Sequence, residues 1–107
     1  MKKILFVCSQ NIVRSLMAEH LFRGRKGCQT RSAGILPDAR VRLTEDLLQW
    51  ADFIVFMDKN HQDYAVKTHA TALAGKQTAC WEVNNDYYYG DPDLALALEE
   101  KMRQLWG

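Results

Sequence analysis

The sequence has little with which to cross a membrane, staple itself with disulfides or grip a nucleic acid. Its apolar runs, Ile4–Cys8 and Phe53–Met57, are five residues each, far below the roughly 20 that span a bilayer. Met1-Lys2-Lys3 ahead of the first run has the charge of a leader, but the run is too short for one. Lysines and arginines (14) balance aspartates and glutamates (13) to a net charge of +1, and no basic patch is interleaved with aromatics. A nucleic-acid partner is therefore not expected. The three cysteines, Cys8, Cys28 and Cys80, form neither an even set nor a metal-ligand spacing. They suit a reducing, cytoplasmic setting, and no metal is expected. With two prolines and six glycines among 107 residues, there is no linker, repeat or low-complexity tract.

What the chain does have is the making of one globular domain over residues 1–107, at 48% apolar and 25% charged residues. Its organising stretch runs from Ile4 to Ser15. An apolar strand ends at Cys8, a polar turn follows, and Leu16–Phe22 continues as a helix, with Leu16, Leu21 and Phe22 near the 3.6 period. A loop between a buried strand and a helix N-terminus presents unpaired N–H groups and the positive end of the helix dipole, which together bind anions. Cys8 opens this loop, and a thiolate is a strong nucleophile that cations and helix N-termini favour. Arg14 closes it with a planar fork that matches two phosphate oxygens. Ser15 carries a hydroxyl for the sulfur or the phosphate, and Asn11 tolerates the left-handed backbone that curls amides inward. Ser9, Gln10, Ile12 and Val13 complete the expected phosphate-binding backbone. A cysteine closing a strand is ordinarily a core residue; it is the strand, spacing, Arg-Ser and helix together that point to chemistry.

Downstream, Arg23–Gly27 reads as a helix stop and residues 28–32 as a strand, with a turn over 33–38. Thr44 caps a helix through Trp50, Phe53–Met57 reads as a central parallel strand, and Asp58 caps a helix over about 60–67. Residues 68–76 are ambiguous, and 77–83 form the last strand. Pro92 takes the first position of a final helix to about Trp106, with Leu94, Leu98 and Leu105 as its buried stripe. Strands alternating with helices give an α/β fold with a parallel sheet, and right-handed crossovers bring the loops after Val7, Met57 and Val83 to one edge. His20, His61 and His69 read as surface residues, Arg40 and Arg42 as solvated, and the three tryptophans as packing residues.

The motif resembles that of the low-molecular-weight protein tyrosine phosphatases: a cysteine, five residues and Arg-Ser after an apolar first strand, with Asn-Ile inside. Cys8, Asn11, Ile12, Arg14 and Ser15 match, as do Met17-Ala18-Glu19, Arg31–Gly34, Leu43-Thr44 and Ala51–Asp58. The likeness is good over residues 3–64 and loose over 77–107. Gln10 stands where glycine is common, Val13 where a second cysteine lies, and Leu16 where proline often follows. Asp38 stands where many members have a histidine that tethers the loop asparagine. The resemblance implies a three-layer sandwich with a four-stranded parallel sheet in the order 2-1-3-4 and helices on both faces.

It also implies a cysteine-dependent phosphatase, without metal or organic cofactor, acting on a phosphotyrosine-containing protein or a small aryl phosphate. Phosphoester cleavage needs an acid for the leaving oxygen, and the loop after the last strand should supply it. Asp86 lies nearer the strand end and is favoured by position. Asp91, before Pro92, reads as a helix cap but resembles the family's Asp-Pro acid motif. Tyr87 and Tyr88 are candidates to wall a slot for an aromatic ring. The alternatives are a thiol-dependent arsenate reductase, which needs two further cysteines, a phosphocysteine carrier, and a phosphate-binding regulator.

Overall fold

A computed structural model describes residues 2–106. The elements run β1 (Lys3–Cys8), α1 (Arg14–Phe22), β2 (Gln29–Gly34), α2 (Glu45–Trp50), β3 (Phe53–Phe56), α3 (Lys59–Thr68), α4 (Ala70–Leu73), β4 (Gln77–Cys80) and α5 (Pro92–Trp106). All four strands are parallel, in the order β2-β1-β3-β4, the order that the resemblance implies.

The sheet is buried on both faces because β1 and β3 are apolar at every position between their ends. Side chains alternate across the strand. Ile4, Phe6 and Cys8 of β1 therefore face α1 and α5, with Met17, Phe22, Leu94 and Leu98. Leu5 and Val7 face α2, α3 and α4, with Leu48, Ala65 and Ala72. Phe6 anchors the first layer, its ring 5.9 Å from that of Phe22 and 5.7 Å from that of Trp81. Truncating such a buried aromatic to alanine costs about 3–5 kcal/mol. Among the described residues no helix is long and apolar enough to cross a membrane.

Several expectations need correction. β2 runs on through Ala33 and Gly34, read from sequence as turn, because Cys8 still pairs with Gly34. Regular β4 ends at Cys80 instead of Val83, since Glu82 adopts a left-handed φ of 52° and breaks the ladder. Trp81 and Val83 nevertheless donate to Phe56 and Met57 carbonyls. The ambiguous 68–76 segment holds the short α4. On α1 the buried side chains are Arg14, Ser15, Met17, Ala18 and Phe22, while Leu16 and Leu21 are only half-buried. The loop aims Arg14 and Ser15 inward, and that sets the helix phase. On α5 Leu94 and Leu98 are buried but Leu105 is half-buried.

Candidate active site

Residues 8–15 join β1 to α1 at the strands' C-terminal edge, where ligands of parallel α/β sheets bind. The loop's shape follows from where its carbonyls go. Those of Cys8, Ser9 and Gln10 accept from the amides of Ile35, Leu36 and Arg40 at 3.0 Å each. The Asn11 carbonyl accepts from Arg40 Nε at 3.2 Å. Four successive carbonyls are thus held outward by the 35–40 segment. Asn11 sits at φ 61°, in the left-handed region that asparagine enters more readily than most residues, and turns its own amide inward. The approach of the two segments leaves no room at Gly34: a Cβ there would meet the Ser9 carbonyl oxygen at 2.4 Å.

The inward face is a set of donors. Cys8 Sγ lies 3.3 Å from the Asn11 amide and 2.8 Å from Ser15 Oγ. Asn11 Nδ2 donates to Ser15 Oγ at 2.8 Å, and the serine's own proton has two acceptors in reach, a Cys8 thiolate at 2.8 Å and, farther, the Ala33 carbonyl at 3.4 Å. Two donors therefore converge where a thiolate carries its charge. α1 begins at Arg14 with no side-chain cap, whereas α2 and α3 are capped by Thr44 and Asp58. Its first-turn amides and dipole stay available to an anion. Asn11 Oδ1 is buried without a partner among the described residues, and Asp38, where the resembling family has its tethering histidine, is exposed.

Arg14 is 5% exposed and is held by one nitrogen. Its Nη1 donates to the Val83 carbonyl at 2.9 Å and to Asp58 Oδ2 at 3.4 Å. Nε and Nη2 make no hydrogen bond within the described residues, which leaves the edge of the fork suited to two phosphate oxygens. A cavity of about 330 Å³ opens beside Arg14, between Asp58–Asn60 and Glu82–Asn85. The left-handed turn at Glu82 is what presents the Val83 carbonyl to the guanidinium.

The candidate acids sit on either side of a tyrosine run. Asp86 follows the cavity wall directly, is exposed, and its carboxylate has no hydrogen bond within the described residues. Asp91 accepts from the Asp93 amide at 2.9 Å, capping α5. Tyr87 is half-buried against the α1/α5 layer, Tyr88 is 65% exposed, and Tyr89 Oη is 2.6 Å from His20 Nδ1.

Sequence reasoning missed four participants. His61, read as a surface residue, is 1% exposed: Nδ1 accepts the Asp58 amide at 3.1 Å, and Nε2 lies 2.9 Å from Ser9 Oγ. Burial lowers its pKa to about 4, the Asp58 carboxylate opposing and the Arg14 charge adding to the shift. Arg40 is exposed, as read, yet its Nε and its amide also hold the loop. Asp58, read only as a cap, also pairs with Arg14, and Gly34 admits the Ser9 carbonyl. The Asp58-x-x-His61 spacing of a capping box was the one local signal.

A model of the low molecular weight phosphotyrosine protein phosphatase family matches residues 3–42, which hold β1, the loop, α1 and β2. Among solved structures, a YwlE mutant from Bacillus subtilis is 24% identical, with 98% of this chain and 96% of that one covered at a TM-score of 0.75. A YwlE arginine phosphatase, a cysteine-to-serine mutant with a phosphorylated active-site serine, is 25% identical, with coverages of 96% and 92% and a TM-score of 0.73. The tyrosine phosphatase Wzb from Escherichia coli K30, in complex with phosphate, is 19% identical, with coverages of 98% and 96% and a TM-score of 0.76. These likenesses show the fold. No curated protein matches the chain in sequence.

Proposed function

We propose that this chain, which carries the phosphate loop and the sheet of the low molecular weight phosphotyrosine protein phosphatases, is a cysteine-dependent phosphomonoesterase. The observation that carries the reading is the loop itself: four carbonyls tied outward, two donors on Cys8 Sγ, and an Arg14 fork with one edge left for oxygens.

The Cys8 thiolate attacks phosphorus in line. As the S–P bond forms, the bond from phosphorus to the leaving oxygen breaks, and Asp86 gives that oxygen its proton. Loop amides, the α1 dipole and Arg14 stabilise the equatorial oxygens. In the second half Asp86 takes a proton from water, which displaces Cys8 and releases inorganic phosphate. Asp86 is preferred to Asp91 because its carboxylate makes no hydrogen bond within the described residues and it follows Asn85 of the cavity wall in sequence, while Asp91 already caps α5.

The favoured substrate is phosphotyrosine in a protein, or a small aryl phosphate. Support comes from Ile12, half-exposed on the loop, and from the exposed Tyr88, two residues after Asp86. Three free thiols fit a cytoplasmic enzyme. An arsenate reductase is disfavoured. Cys80 pairs with Phe56, which pairs with Val7, so it lies two strands from β1, roughly 10 Å away. Cys28 precedes β2, at the opposite end of the sheet from Cys8. The relay of oxidation that such an enzyme needs has no near partner.

The test is hydrolysis of p-nitrophenyl phosphate in the presence of a metal chelator. The wild type should turn over and Cys8→Ser should not; residual turnover in that variant contradicts the mechanism. A phosphoarginine peptide, in which a P–N bond breaks, is the comparison substrate. Preference for it would keep the mechanism and replace the aryl specificity.

A further inference from the structure

We propose that His61 is a positioning residue for the phosphate loop: the first turn of α3 brackets the loop at both ends, holding Ser9 through His61 and Arg14 through Asp58. The role rests on the phosphatase reading of residues 8–15 and adds to it what keeps them in shape.

The ring's surroundings fix its chemistry. A buried imidazole is tolerated only when its nitrogens are bonded. Nδ1 faces the Asp58 amide at 3.1 Å, and an amide can only donate, so Nδ1 accepts. A neutral ring with its acceptor settled carries its proton on the other nitrogen. Nε2–H therefore donates to Ser9 Oγ, at 2.9 Å. The first residue after the nucleophile is then gripped from two sides, by His61 at its hydroxyl and by the Leu36 amide at its carbonyl, 3.0 Å away. Rotation of the Ser9 peptide would break both bonds.

The same cap governs the other end. Asp58 Oδ1 accepts from the amides of Asn60 and His61 at 2.8 and 3.4 Å, which leaves Oδ2 facing Arg14 Nη1 at 3.4 Å. Sequence separation makes this useful. Fifty-two residues part Ser9 from His61 and 44 part Arg14 from Asp58, so the loop is braced by an element that the β1–α1 connection does not itself supply. The competing explanation is that His61 only completes the α3 capping box.

Two substitutions separate these roles. His61→Gln places an amide near the Nε2 position that restores a donor to Ser9, and its oxygen can still accept the Asp58 amide as N3 glutamines do, whereas a shorter side chain at this position keeps only the acceptor. His61→Asn is that shorter side chain: its oxygen lies near the Nδ1 position for the Asp58 amide and it does not reach Ser9. The dissociation constant for inorganic phosphate, the melting temperature, and NMR order parameters of the Gln10–Val13 amides without added phosphate are measured in both. If His61 positions the loop, the Gln variant binds phosphate within about twofold of wild type while the Asn variant binds about tenfold more weakly. The loop amides then lose order only in the Asn variant, although both variants keep an acceptor for the helix cap. Adding Ser9→Ala to either variant should erase their difference. Equal loop order in the two variants, or affinities that merely follow the melting temperatures, would overturn the proposal. The order parameters decide it even if no phosphate binds, the result that would instead sink the phosphatase reading.

Discussion

The two carboxylates after the last strand differ in what their oxygens already do. Asp91 accepts an amide hydrogen from its own helix, and among the described residues the Asp86 carboxylate has no hydrogen bond. Replacing Asp86 by asparagine should therefore slow hydrolysis of phenyl phosphate by about 10²-fold or more and that of p-nitrophenyl phosphate far less, because a poor leaving group depends most on its proton. Asp91→Asn should leave that selectivity unchanged, and Asp91→Ala should cost about 1 kcal/mol of stability through the lost cap. The leaving-group pattern in Asp91→Asn and not in Asp86→Asn would transfer the role. Cys8, Asn11, Arg14 and Ser15 were legible because they are contiguous and each type has a chemical reason to be there. Gly34, Arg40, His61 and the Val83 carbonyl were not, because each matters only through a partner far along the chain. An aspartate that caps a helix is also a complete local explanation, which hid the pairing of Asp58 with Arg14.

At the scale of elements, α3 is a polar helix held by its first turn, and its buried histidine makes its stability depend on acid. In the unfolded chain His61 binds its proton near pH 6.5, but in the folded chain burial delays this to about 4. Between those values the unfolded state holds more protons, so stability present above about pH 6.5 falls as the pH drops toward 4. The slope from this group is at most about 1.4 kcal/mol per pH unit. Urea unfolding at about pH 7 and about pH 4.5 should show wild type losing roughly 2 kcal/mol more than His61→Gln; equal losses would mean the ring is not held neutral. Apolar runs and caps gave most elements away, among them the Thr44-capped α2, the apolar β3 and the proline-led α5. The ends of β2 and β4 were missed because strand pairing and one left-handed glutamate set them. The phase of α1 was missed because the loop ahead of it, and not the helix's own apolar residues, decides which side faces in.

For the whole molecule, alternating strands and helices made the parallel α/β class legible, while the order β2-β1-β3-β4 was implied only by the resemblance; that order places the ends of β1, β3 and β4 along one edge. The same topology keeps the three thiols apart. Disulfides need Cα atoms within about 7 Å, and Cys80 lies two strands from β1, with a thiol pKa raised by burial. Peroxide should therefore carry Cys8 to sulfinic and sulfonic acids, and dithiothreitol should restore little activity. Full recovery, with Cys8 joined to Cys28 or Cys80, would show that the fold opens far enough to bring them together. The account rests most heavily on phosphorus passing through the Cys8 sulfur, and this can be observed. Wild type and Asp86→Asn are mixed with p-nitrophenyl phosphate, quenched within one turnover, digested and analysed by mass spectrometry. The account predicts one phosphoryl group on the peptide bearing Cys8, more abundant in Asp86→Asn, where the second half-reaction lacks its base. A phosphoryl group on any other residue of the wild type, or hydrolysis with Cys8 unmodified throughout, would contradict it.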